Sequence, residues 1–189
     1  MNKAVVIYDS KYGSTRQYAE WIAQALSCPL FERKKFNPQD FSKYDMILYG
    51  GGLYAGSVSG IKLISQNHIL LSGKKIVLFT CGLASPDDPD NLSSIRASLS
   101  KTLSEEMLQQ IRIFHLRGAI DYSRLTFLHR SMMSMMNKML QKKDVHTLSA
   151  ADREFLKLYG KNVSFMDPQS IRPLVNYAFL VLSHTPPVL

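Results

Sequence analysis

Two cysteines in 189 residues, Cys28 and Cys81, are too few for a disulfide framework. The five histidines, at 68, 115, 129, 146 and 184, show no metal-ligand spacing. No apolar run approaches the roughly 20 residues of a membrane span. The opening MNKAVVIYDS has an apolar run too short for a secretory signal and lacks a cleavage pattern. A reducing cytoplasm is therefore the expected setting. The Walker pattern G-x-x-x-x-G-K-[ST] is missing, which argues against a P-loop NTPase. Internal repeats, low-complexity tracts and linkers are missing too. No Ser–His–acid arrangement is legible.

Acidic residues are also scarce. Fifteen Asp and Glu face 23 Lys and Arg, for a net charge of +8. Residues 118–189 hold nine basic and five acidic residues, so +4 of that total. Between Asp121 and Asp144 there is no acid, only Arg124, Arg130, Lys138, Lys142 and Lys143. Such a surface suits anionic lipid or an acidic partner. No nucleic-acid recognition motif accompanies the charge, so no nucleic-acid partner is expected.

What is present reads as one packed domain spanning 1–189, 46% hydrophobic and 20% charged. Apolar, β-branched runs at 3–8, 44–52, 74–82 and 110–118 predict strands, with a weaker edge-like strand at 29–36. Helical spacing predicts helices over 14–26, 59–73, 91–108 and 167–182. Strands alternating with helices imply right-handed crossovers and a doubly wound, five-stranded parallel α/β sheet. Ligands in such sheets bind at the carboxyl ends of the strands near the switch point. The loops after the first, third and fourth strands are thus where chemistry is sought.

The first of these, DSKYGSTRQYAE (9–20), supplies hydroxyls from Ser10, Ser14 and Thr15 and a conformationally free Gly13. A helix starts at once, turning its free N–H groups and positive dipole end toward the loop. This is an anion cradle of neutral donors, or else an ordinary capped strand-to-helix turn. The residues 50–55, GGGLYA, formally fit G-x-G-x-x-A. They follow the third strand, however, with Lys74 and Lys75 where a ribose-binding acid would be wanted. A phospho-receiver would need an aspartate where Gly50 stands.

Tyr8-x-Ser10-x-x-Gly13-x-Thr15-x-x-x-Ala19-x-x-Ile22 resembles the flavodoxin signature at the end of the first strand. The resemblance implies a flavodoxin-like sheet of order 2-1-3-4-5, an FMN cofactor and a phosphate loop of Ser10, Lys11, Tyr12, Gly13, Ser14 and Thr15, with Lys11 directed to solvent. It also implies a second flavin loop with Gly51, Gly52, Leu53, Tyr54, Ala55 and Gly56. Tyr54 is the candidate for stacking on the ring, or else a surface tyrosine. A third loop would contribute Thr80, Cys81, Gly82, Leu83 and Ala84, with Cys81 read as a small hydrophobe more than a redox thiol. No catalytic side chain is identified, since a flavin carries the hard chemistry itself.

Five of the nine methionines fall between Met132 and Met139. On a helix over 125–143, Leu125, Leu128, Met132, Met133, Met135, Met136, Met139 and Leu140 share one broad face. His129 falls in the apolar arc and Phe127 in the polar one. The face could be core filler, an adaptable contact for apolar ligands, or a peripheral membrane foot on the inner leaflet side. A further short helix is expected near 149–158. Gly118-Ala119-Ile120-Asp121-Tyr122 and the basic helical insertion after the fifth strand, about 119–167, resemble the flavodoxin-type, menaquinone-dependent protoporphyrinogen oxidases. That resemblance implies hydride transfer between an apolar or anionic substrate, such as a protoporphyrinogen, and a quinone. Arg124, His129 and Arg130 are then candidate substrate contacts. The alternative is a flavodoxin-like electron carrier docking on a partner protein, and a third reading is a fold that has lost its flavin.

Overall fold

A computed structural model describes residues 3–184; the two ends, 1–2 and 185–189, lie outside the described residues. The sheet is built from β1 (Ala4–Asp9), β2 (Leu30–Glu32), β3 (Met46–Tyr54), β5 (Lys75–Gly82) and β6 (Ile111–Arg117). All five are parallel and ordered β2-β1-β3-β5-β6. A two-residue strand, β4 (Ser57–Val58), returns antiparallel on the end of β3. Discounting that hairpin, this is the expected 2-1-3-4-5 order, and the switch point lies between β1 and β3.

The central strands β1, β3 and β5 are buried on both faces, which is why their sequences read as continuous apolar runs, while the edge strands β2 and β6 are half-buried. Side chains alternate across the sheet. Val5, Ile7, Ile47, Tyr49, Ile76 and Leu78 point into one core layer, joined by Ile64, Ile95 and Leu99. Ala4, Val6, Met46, Leu48, Val77 and Phe79 point into the other. There they meet Tyr18, Ala19 and Ile22 of α1 (Ser14–Ala25), and Leu174, Val175 and Ala178 of α7 (Arg172–His184).

Several boundaries differ from the expected ones. The helix expected over 91–108 is two, α3 (Pro89–Leu99) and α4 (Glu105–Gln110). Ser104 is the reason: its Oγ accepts from the Met107 N–H, and Glu105 and Glu106 follow, so a new N-terminus is specified in mid-segment. The segment 59–73 is helical only over α2 (Lys62–Gln66), where the Asn67 amide donates to the Leu63 carbonyl and closes the turn. The edge strand stops at Glu32 and becomes a 3₁₀ turn. The stretch expected as the second flavin loop largely continues the sheet. β3 runs to Tyr54, and Ala55 (φ 49°) and Gly56 (φ 76°) alone make the hairpin turn.

Next to the switch point, Gly60 sits at φ +67°, and a Cβ there would lie 2.1 Å from the Tyr49 hydroxyl and 2.6 Å from Asp9 Oδ2. Asp9 is held by Arg33 Nε at 2.5 Å, and Tyr49 donates to the Ser59 carbonyl, so neither neighbour yields easily. Gly60→Ala is expected to cost about 3 kcal/mol and lower Tm by roughly 6–12 °C in a thermal melt.

The insertion lies beyond β6. A short antiparallel ladder of β7 (Ala119–Ile120) and β8 (Val163–Ser164) cinches its base. Between them run α5 (Phe127–Gln141) and α6 (Ala150–Leu158), packed against each other. Ser149 and Asp152 form a capping box that starts α6. Arg117, at the end of β6, fastens α6 to the sheet. It pairs with Glu154, donates to the Leu83 carbonyl at 2.9 Å, and lies 3.6 Å over the Phe165 ring. No helix among the described residues is long and apolar enough to cross a membrane.

Candidate functional site

β1 ends at the switch point and delivers the chain into the 10–15 turn. Gly13 takes φ 104°, a conformation open to glycine, and its N–H donates to Ser10 Oγ at 3.1 Å. α1 starts immediately after. Helices α3, α4, α5 and α6 each carry a side-chain cap, from Asp88, Ser104, Thr126 and Ser149. α1 carries none, and no acid stands in its first turn. Its leading N–H groups therefore keep their capacity for an anion.

The Lys11 N–H is taken by the Tyr54 hydroxyl at 2.9 Å. That phenol oxygen stands where an anionic oxygen would accept the same donor. Burial raises the Tyr54 pKa, so it fills the place as a neutral group. Tyr54 also stacks on His129, with ring centroids 5.7 Å apart and 28° between planes, and meets Tyr12 edge-on. The expected stacking surface is therefore paired with an imidazole from α5.

Beside the cradle, α5 and α6 roof a cavity of about 670 Å³. Of the expected residues, Tyr12, Ser14, Thr15, Leu53, Tyr54, Ala55, Gly56, Cys81, Gly82, Leu83, Ala84 and His129 line it together. Ser10, Lys11 and Gly13 belong to the adjoining cradle. Gly51, Gly52 and Thr80 do not line the cavity but are buried in the sheet. For Thr80 the reason is strand alternation: its hydroxyl bonds His115 Nδ1 at 2.7 Å, so Cys81 faces the site instead. Burial pushes the Cys81 thiol up to about 12, although the Thr15 hydroxyl bonds it, which makes it an apolar wall and not a thiolate.

Arg124 and Arg130, expected as substrate contacts, also lie off the cavity lining. Arg130 donates to the Tyr122 and Ser123 carbonyls. Arg124 borders a second groove, of about 490 Å³, with Gly13, Ser14 and Gln17. The charged residues that line the cavity are all carboxylates, and each is engaged. Asp121 accepts from Ser123, Asp152 pairs with Lys143, and Glu154 pairs with Arg117. The remaining walls are apolar: Met132, Met133 and Met136 from α5, and Ala151, Phe155 and Leu158 from α6. The α6 contribution went unread in the sequence. Its signal was the 151, 155, 158 spacing, one face of a helix.

His129 fixes α5 to the first loop. A lysine ammonium only donates, so Lys11 Nζ, 3.4 Å away, requires Nε2 to accept. Nδ1 then carries the proton and donates to Tyr12 Oη at 2.6 Å. Burial, and then the Lys11 charge, hold the imidazole below its ordinary value. As pH falls below about 6.5, the unfolded chain takes up the proton before the folded one, so this contact weakens on the acid side. An NMR titration of His129 is expected to show a midpoint below that value; a midpoint at or above it would contradict the pairing.

An uncapped helix start after the first strand of a doubly wound sheet, beside an apolar-walled cavity, suits a ligand with an anionic group and an apolar ring. A family model for the flavodoxin domain matches residues 5–147, and the chain belongs to that family. No curated protein matches significantly. Solved structures similar to the chain include a two-electron reduced flavodoxin from Megasphaera elsdenii, with 19% identity, 59% of this chain and 84% of that chain covered, and a TM-score of 0.44. A flavodoxin from the domain Archaea has 14% identity, 82% and 95% coverage, and a TM-score of 0.40. A flavoprotein in complex with FMN from Lactobacillus acidophilus has 14% identity, 62% and 93% coverage, and a TM-score of 0.42. FMN is the cofactor of the domain. The donors present fit it: neutral N–H and hydroxyl groups for the phosphate, and aromatic and aliphatic walls for the ring.

Proposed function

We propose that the chain is an FMN-dependent oxidoreductase that exchanges two electrons with an apolar ring substrate, using a quinone as partner. The cavity roofed by the insertion carries this reading. A simple carrier must leave its cofactor open to a docking protein, whereas here α5 and α6 roof the cavity beside the cradle. Bound FMN supplies the hydride chemistry. The chain's own residues do the rest. The 10–15 turn anchors the phosphate, Tyr54 and Leu53 wall the ring, and the methionines exclude water while adapting to a flat ligand.

A protoporphyrinogen is the specific substrate the insertion suggests. Its macrocycle suits the apolar walls, but its carboxylates would have to reach Arg124 and Arg130 outside the cavity. The engaged carboxylates inside favour an uncharged ring, so the quinone is the better-matched ligand. Mixing the reduced, FMN-loaded protein anaerobically with a naphthoquinone or a benzoquinone tests this. Saturable return of the oxidised flavin band is expected. Oxidation that is slow and linear in quinone concentration would count against a binding site. Turnover with protoporphyrinogen then decides whether the same cavity accepts the larger ring.

A further inference from the structure

The methionine-rich face of α5 is split. His129, Met132, Met133 and Met136 turn toward the cavity, and Leu140 is buried. Met135 and Met139 reach the cavity rim as well, but much of their surface, like that of Leu128, is uncovered among the described residues. On that face Leu128 is 64% exposed, Met135 68% and Met139 57%, and Phe127, in the polar arc at the start of the helix, is 89% exposed. At 3.6 residues per turn, Leu128, Met135 and Lys142 fall on one line along the helix, with Met139 beside it. Exposed Lys138 borders the line, exposed Lys142 ends it, and exposed Arg124 and Arg130 stand at the amino end. The stretch has no acid from Asp121 to Asp144. An exposed apolar stripe of this size is costly in water unless something covers it.

We propose that this outer stripe of α5 docks on an anionic lipid surface. Three features select lipid over a protein groove. The helix is amphipathic and basic, its apolar side chains are of mixed, adaptable shape, and its cations flank the stripe where headgroups would meet them. Met135, Met136 and Met139 border both the stripe and the cavity. An apolar ring dissolved in the bilayer thus has a continuous apolar path into the site. That path rests on the function proposed above; the docking itself does not.

Sedimentation of the full chain with vesicles, with and without FMN, tests the docking. Binding to phosphatidylcholine vesicles containing phosphatidylglycerol is expected, with little binding to phosphatidylcholine alone, and loss at high salt. Lys138→Gln with Lys142→Gln should weaken it roughly 30-fold. Phe127→Ser with Leu128→Ser, both outside the cavity, should weaken it roughly tenfold or more. Both pairs are exposed, and a thermal melt checks that they fold. Failure to bind anionic vesicles overturns the proposal, as does binding that ignores both double variants. So does light scattering that finds a dimer broken by Phe127→Ser with Leu128→Ser, since a second copy would then cover the stripe. A colourless protein that still binds anionic vesicles would sink the flavin reading and leave the docking standing.

Discussion

Ser14→Asp is expected to weaken FMN binding by roughly 100-fold or more while leaving the fold intact. Two effects of opposite sign make this informative. A carboxylate in the first turn of α1 meets the positive end of the helix and should stabilise the apoprotein by about 0.5 kcal/mol. The position demands little of the side chain, since Ser14 Oγ accepts from the Ala119 N–H at 3.1 Å and a carboxylate can do the same. A phosphate dianion in the cradle would meet that new charge at contact range. At an effective dielectric near 20, repulsion of about 3–4 kcal/mol is the expected scale, which is the stated loss of affinity. Ser14→Ala removes one neutral hydrogen bond and should cost only about 1 kcal/mol. Quenching of flavin fluorescence on titration measures both. Equal affinity for Ser14→Asp and the parent chain would put the phosphate elsewhere.

Charging the cavity wall is the second large effect. Met132 and Met136 lie one turn apart on α5 and both line the cavity. Met132→Asp with Met136→Asp leaves the phosphate cradle untouched, and its quinone kinetics are measured on the FMN-loaded fraction, since both residues share the cavity with Leu53 and Tyr54. Quinone reduction should fall by roughly 100-fold or more in kcat/KM, as the ring loses apolar contact and meets charge on the cavity wall, together worth about 3 kcal/mol or more. Met132→Leu with Met136→Leu conserves volume and should stay within a few-fold of the parent. Unchanged quinone kinetics in the aspartate variant would mean that the substrate does not use this cavity.

The parallel sheet was legible because its central strands are continuous apolar runs, while its order came with the flavodoxin resemblance, since the crossovers are uneven: α1 has 12 residues and α2 only 5. The cradle was legible because Ser10, Gly13 and Thr15 are fixed by spacing within one turn. What stayed hidden depends on partners distant in sequence. Thr80 and Cys81 are neighbours, and which of them faces the site depends on His115, 35 residues away. Arg124 and Arg130 carry the right charge, but Arg130 is held by the Tyr122 and Ser123 carbonyls, and Arg124 precedes α5 and borders the second groove. The β7–β8 ladder is two residues a side, too short to leave a period. The strand expected over 44–52 already takes in the three glycines, with Gly50 beneath the Phe79 ring; its run on to Tyr54 and the return of Ser57–Val58 stay hidden because a two-residue strand leaves no period.

The visible spectrum of the purified chain tests the central claim most directly. A yellow protein is predicted, with the two absorption bands of an oxidised flavin and FMN released in stoichiometric amount on denaturation. A colourless chain that also fails to take up added FMN would contradict it.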